Sequence, residues 1–201
     1  MISSHRIFLS LYFILIQSFK EIVFGPMSLF RFYYNADIHR YGGEKVNFYV
    51  RVLLFLYRKA ATKKGVIIKT LYKVLLRLHS RIHGNELHSC CKIGKGLYLG
   101  HVYNITISGD AVIGENCNIH KGVTIGRECR GPRQGCPTIG NRVSICVNAT
   151  VVGRIVVGDD VIIAPNSFVN CDVPSHSIVI GNPCIIKHRD HATEGYVVNL
   201  A

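Results

Sequence analysis

Between Ile93 and Val169 the sequence repeats every six residues, a period that leaves few folds open. Ile93, Leu99, Ile107, Ile113, Ile119 and Ile125 form one set of register positions; Ile139, Ile145, Val151, Val157, Ile163 and Val169 form a second. All steps are six except Leu99 to Ile107, which is eight. Ala111, Cys117, Val123, Val143, Ala149, Val161 and Ser167 stand four places after register residues, and all are small or of moderate size. A helix repeats every 3.6 residues and a strand every two, so neither produces a strict six. Hexads of this kind build a parallel β-helix, each hexad supplying one short face of a stacked coil. The expected fold is therefore mainly β. A β-helix occupies residues 86–187, a short α-helical region (residues 1–85) precedes it, and a polar tail (188–201) follows, as a loose end or a docking strand.

The repeat breaks at Arg127–Thr138, where Gly, Pro and Arg replace the hexad and a loop leaves the coil. Long loops on a rigid scaffold often carry function. Upstream, two helical stretches are expected near residues 46–62 and 65–83. In the second, Lys69, Lys73, Arg77 and Arg81 recur at steps of four and share a face, with Leu71, Leu75, Leu78 and Ile82 on another.

Charge follows the same division. Residues 1–91 hold 14 Lys and Arg against 4 Asp and Glu, whereas residues 92–201 hold 10 against 8. A basic front can meet nucleic acid, an anionic membrane surface or an anionic partner. No zinc-finger, RNP or Arg-rich pattern supports nucleic acid. The basic helix reads chiefly as a solvated face, with peripheral contact to an anionic membrane as the functional alternative. Residues 7–16 are apolar but too few to span a bilayer, which takes about 20. No small-residue cleavage site follows them. Residues 1–26 are read either as a membrane-associated or buried helix, or as an upstream extension with Met27 as the start. Eight cysteines without a CxxC pair fit a reduced, cytoplasmic protein better than a disulfide framework. Cys129 and Cys136 alone make a poor metal site, and no metal is expected.

The stretch GLYLGHVYNITISGDAVIGENCNIHKGVTIGRE (residues 96–128), then Pro137–Gly140 and Ile163–Ile186, resembles the hexapeptide-repeat acyltransferases. The match is best to the serine acetyltransferase-like group, which includes polysaccharide O-acetyltransferases. The resemblance implies a left-handed coil, a homotrimer with active sites between subunits, and acetyl-CoA as donor. The family's general base stands in a Leu-Asp-His-Ala segment, fifteen residues after an aspartate that opens Asp-Ile-His. Here the segment is Leu99-Gly100-His101-Val102, and Glu86 opens Glu86-Leu87-His88. His101 is thus the expected base and Glu86 the carboxylate that orients it, the arrangement that activates a weak hydroxyl nucleophile. With coils of 18 residues stacked roughly 4.8 Å apart, Glu86, His101 and His120 are expected in one file. His120 is either a substrate contact or an exposed edge residue.

The resemblance assigns further roles with less precision. An amide in the Gly126-Arg127 turn would face the developing oxyanion. The donor would run past Val147, Ala164 and Pro165, with Lys187 near its phosphates. The residues that grip serine in that group are replaced by Gly100, Gly135 and Cys136, and Arg130 and Arg133 would have to substitute for the lost carboxylate contact. The histidine of the galactoside-type branch corresponds to Asn148. These departures favour O-acetylation of a sugar in capsule or lipopolysaccharide synthesis. Serine is the alternative acceptor. A non-catalytic scaffold and a zinc hydratase are readings of other classes, the latter lacking an evident third histidine.

Overall fold

The computed structural model describes residues 29–42 and 46–201. Residues 1–26, and with them the choice between Met1 and Met27, lie outside the described residues. Fifteen strands, numbered along the chain, wind into a parallel β-helix of about five turns. The first face stacks β1 (Glu86–Leu87), β4 (Thr106–Ile107), β7 (Thr124–Gly126), β10 (Thr150–Val152) and β13 (Phe168–Val169). The second stacks β2 (Lys92–Ile93), β5 (Val112–Ile113), β8 (Thr138–Ile139) and β11 (Val156–Val157). The third carries β3 (Tyr98–Gly100), β6 (Asn118–His120), β9 (Ser144–Ile145), β12 (Val161–Ile163), β14 (Ser177–Ile180) and β15 (Ile185–His188). Every pairing is parallel except β14 with β15, where the chain turns back antiparallel and covers the last coil.

The sixes account for the core. All twelve register residues point inward, and none is more than 6% exposed. Burying each such side chain contributes about 1.5–3 kcal/mol. Parallel register places like on like: Ile107 faces Ile125, Ile119 faces Ile145, and Ile145 faces Ile163. The positions four residues on are also buried, including Cys117 at 1%. The cysteines of the described chain are all free thiols. At the corners, Asn104, Asn116, Asn148, Asn166 and Asp160 take positive φ, a conformation that Asn and Asp tolerate better than most residues.

Three helices pack on the first coil: α1 (Leu29–His39), α2 (Phe48–Thr62) and α3 (Val66–Arg81). Asn47 caps α2 by accepting from the Tyr49 amide at 2.8 Å. A buried ion pair bolts the helices to the coil. Arg58 of α2 meets Asp37 of α1 at 2.7 and 2.8 Å and donates to the carbonyls of Ile93 and Gly94, while Asp37 accepts from the Leu97 amide. Tyr57 adds a hydrogen bond to the Cys91 carbonyl.

The packed face of α3 differs from the expected one. Tyr72, Leu76 and Ser80 are buried against α2, with Tyr72 edge-on to Phe55, whereas Leu78 and Ile82 are 57% and 70% exposed. The helix has more apolar residues than one face needs, and Tyr49, which hydrogen-bonds to the carbonyls of His79 and Ser80, selects the stripe that turns inward. Ile67, Val74, Leu78 and Ile82 are left as an apolar stripe on the opposite side.

The expected loop is present and is tied down. Glu128 and Gly135 exchange backbone hydrogen bonds at 2.9 and 3.0 Å, and the Arg154 amide donates to the Arg133 carbonyl. The last residues dock. Asp160, 4% exposed, accepts from the amides of Ala192 and Thr193, from the Thr193 hydroxyl and from the His176 ring. Asn118 Nδ2 donates to the Tyr196 carbonyl at 2.8 Å, so the tail lies back across the third face.

Candidate active site

His101 follows β3 at the corner between the third and first faces. It is exposed and has φ 53°, a left-handed conformation that a histidine adopts at some cost. The turn is closed by the Tyr103 amide donating to the His101 carbonyl at 2.8 Å. Gly100, one residue earlier, pairs with His120 on the next coil. A β-carbon at position 100 would collide with the His120 ring, so the glycine leaves room for that imidazole beside the corner. Burial, reinforced by the adjacent His101, holds the His120 pKa below the ordinary histidine value.

The single file expected for Glu86, His101 and His120 is corrected by the register. Glu86 pairs with Thr106, and Tyr98 with Asn118, so the first coil spans twenty residues instead of eighteen. The extra pair lies in the corner that carries His101 and produces the eight-residue step from Leu99 to Ile107. His120 therefore stacks on Gly100, one place from His101, while Glu86 stands farther on, at the start of the first face. The Glu86 carboxylate is exposed, and among the described residues it has no ion pair.

The other expected site residues divide between two corners. Continuing the register upward from His101 leads through Lys121 and Val147 to Pro165, with Ala164 beside it on the file of Gly100 and His120. His101, His120, Val147, Ala164 and Pro165 thus share one ridge. Gly126 and Arg127 lie at the opposite end of the first face, where Arg127 pairs with Asp110 at 2.9 Å. Arg130 and Arg133 are exposed on the loop that leaves from that second corner. Lys187 is exposed on β15, at the end of the third face. Within one chain, the ridge and the Gly126 corner are not brought together.

Asn118, Arg40 and the tail segment around Tyr196 escaped the sequence reading. They form a cavity with Tyr41, Tyr98 and His120 next to the ridge. No repeat or motif marks them, because each comes from a different part of the chain. Among the described residues no group of three His, Cys, Asp or Glu converges as a metal site would require.

The stacked hexads and parallel faces define a hexapeptide-repeat β-helix protein. Comparison narrows the class. The serine acetyltransferase of Helicobacter pylori (strain 26695) is 38% identical over 110 residues, covering 55% of this chain and 64% of that protein. That of Staphylococcus aureus (strain Mu50) is 38% identical over 112 residues, covering 56% and 53%. Among solved structures, the soybean serine acetyltransferase apoenzyme superposes with a TM-score of 0.69 at 26% identity, covering 79% of this chain and 69% of that one. Serine acetyltransferase of Neisseria gonorrhoeae, in complex with serine, gives 0.61 at 27% identity, covering 77% and 67%. No family model matches the chain. The chain spans less than two thirds of the length of these curated relatives. In sequence and fold it is similar to the serine acetyltransferases, and its stacked hexads share their β-helix.

Proposed function

We propose that this protein is an acetyl-CoA-dependent O-acetyltransferase and that its acceptor is serine. The observation that carries the activity is the exposed His101, held at a left-handed corner in a segment that keeps the Leu and His of the Leu-Asp-His-Ala base motif. In the reaction, His101 removes the proton of the acceptor hydroxyl as its oxygen attacks the thioester carbonyl. The carbon–sulfur bond then breaks, the proton passes to the departing thiol of CoA, and an O-acetyl ester remains. Backbone N–H groups near Gly126, supplied across a subunit boundary, would stabilise the intervening oxyanion. The separation of the two corners within one chain favours a homotrimer in which the ridge of one subunit faces the Gly126 corner of the next. Glu86, at the start of the first face, is the carboxylate proposed to orient His101.

For the acceptor, the relatives support serine over the sugar that the sequence departures suggested. The relatives named above are serine acetyltransferases, and the gonococcal structure holds serine itself. With glycine at position 100, the ammonium of serine would be met by groups other than the family's aspartate. A thiol-release assay with acetyl-CoA, run against serine and a panel of nucleotide sugars, tests the choice. Saturation by serine alone supports it, and turnover confined to a sugar overturns it.

Peripheral contact with an anionic lipid surface belongs to the same reading. No Asp or Glu occurs between Glu44 and Glu86, and Lys73, Arg77 and Arg81 flank the exposed stripe of Ile67, Val74, Leu78 and Ile82.

A further inference from the structure

A cavity of about 290 Å³ lies between the end of α1, strands β3 and β6, and the returning tail. Arg40 lines it and is 2% exposed. Its Nη2 donates to Asn118 Oδ1, but Nε and Nη1 have no partner among the described residues. No carboxylate of the described residues pairs with it; Asp37, the acid that precedes it in α1, is committed to Arg58. Burial pushes the guanidinium pKa down, as expected for a cation without a counter-charge. A buried, unpaired guanidinium is costly to the fold, and an apolar isostere would be tolerated better. Asn118, the Tyr98 ring and the half-buried His120 give the same cavity a polar wall.

We propose that this cavity is an oxyanion site, in which Arg40 receives the carboxylate or phosphate of a small molecule and Asn118 and His120 line the approach. An anion there supplies the missing charge, and a small turn of the Arg40 side chain would bring its solvent-closed Nε and Nη1 groups to that anion, the contact for which Arg is best suited. His120 forms part of both this cavity and the ridge of His101, so the anionic group belongs either to the acceptor or to a separate ion that adjusts the site. The site itself stands without the acyl-transfer reading; only its assignment to the acceptor rests on that reading.

The test is thermal stability of the full chain at constant ionic strength, titrated with sodium phosphate, sodium acetate and L-serine. The melting temperature of the wild type is expected to rise saturably with at least one of them, since a ligand of the native state stabilises it. Arg40→Met is expected to melt at or above the wild type without anion, and to need at least tenfold more anion for the same rise. Arg40→Gln supplies the same comparison should the methionine variant fail to fold. A proton NMR titration adds a second readout: the His120 resonance should move to a higher pKa with the anion in the wild type and stay unmoved in Arg40→Met. Competition of phosphate with serine in acetyl transfer assigns the site to the acceptor; binding without competition assigns it to a separate ion. Either result supports the oxyanion site, and the binding arm decides alone if no transfer is detected. Absence of any saturable response, or a response in the Arg40 variants equal to that of the wild type, overturns it.

Discussion

The imidazole of His120 fills the space that a β-carbon on Gly100 would need. The two residues share one volume, so the ring of His120 requires a residue without a β-carbon at position 100. Gly100→Asp forces the ring out of its place and should cost about 1–3 kcal/mol, the usual range for overpacking. In a Gly100→Asp background, His120→Ala should recover most of that loss and lower the KM for serine. Urea denaturation of the four-protein cycle measures the coupling, which should exceed about 0.5 kcal/mol. Additive effects would mean that the pair is not matched.

Asp37 and Arg58 join α1, α2 and the first coil through a pair that is almost fully buried. Asp37→Ala strands the guanidinium and should destabilise by about 3–5 kcal/mol. Replacing both residues with apolar ones of similar size should cost much less. Denaturant midpoints at constant m-value separate the two outcomes.

Docking of the tail should depend on acid. Burial alone would raise the Asp160 pKa, but hydrogen bonds from Thr193, His176 and Ala192 more than offset it and hold the value at about 2. A carboxylate depressed in the folded state stabilises above its unfolded value, about 3.9, and that contribution is lost as pH falls toward the folded value. Hydrogen exchange in residues 189–199 should therefore stay slow at pH 5 and quicken, relative to intrinsic rates, as pH drops from about 4 toward 2. Asp160→Asn should show fast exchange at both ends.

The exposed edge of α3 should bring the protein to anionic vesicles. Sedimentation with vesicles rich in phosphatidylglycerol should recover the wild type at low salt and lose it progressively at high salt. Leu78→Asp should abolish recovery without lowering the melting temperature, because Leu78 is 57% exposed.

How much of this was legible in the sequence depends on whether a feature repeats. The inward residues from Ile93 to Val169 were readable because a coil imposes one requirement many times, and the Arg127–Thr138 loop was readable as its interruption. The face of α3 was misread because two apolar stripes compete on one helix, and only the Tyr49 and Phe55 contacts decide between them. The file of Glu86, His101 and His120 is displaced because one coil spans twenty residues: the eight-residue step shows that two are inserted, but only the pairing of Glu86 with Thr106 and of Gly100 with His120 shows which positions stack. Arg40, Asn118 and the docking of Thr193 on Asp160 each rest on single residues distant in sequence, for which no local pattern exists.

The role of His101 is tested most directly by thiol release from acetyl-CoA with serine as acceptor, comparing the wild type with His101→Ala. Saturable turnover by the wild type is expected, with a loss of at least 100-fold in kcat for the variant, consistent with removal of a general base worth about 10²–10⁴, and an unchanged melting temperature. An undiminished rate in a folded His101→Ala protein would contradict it.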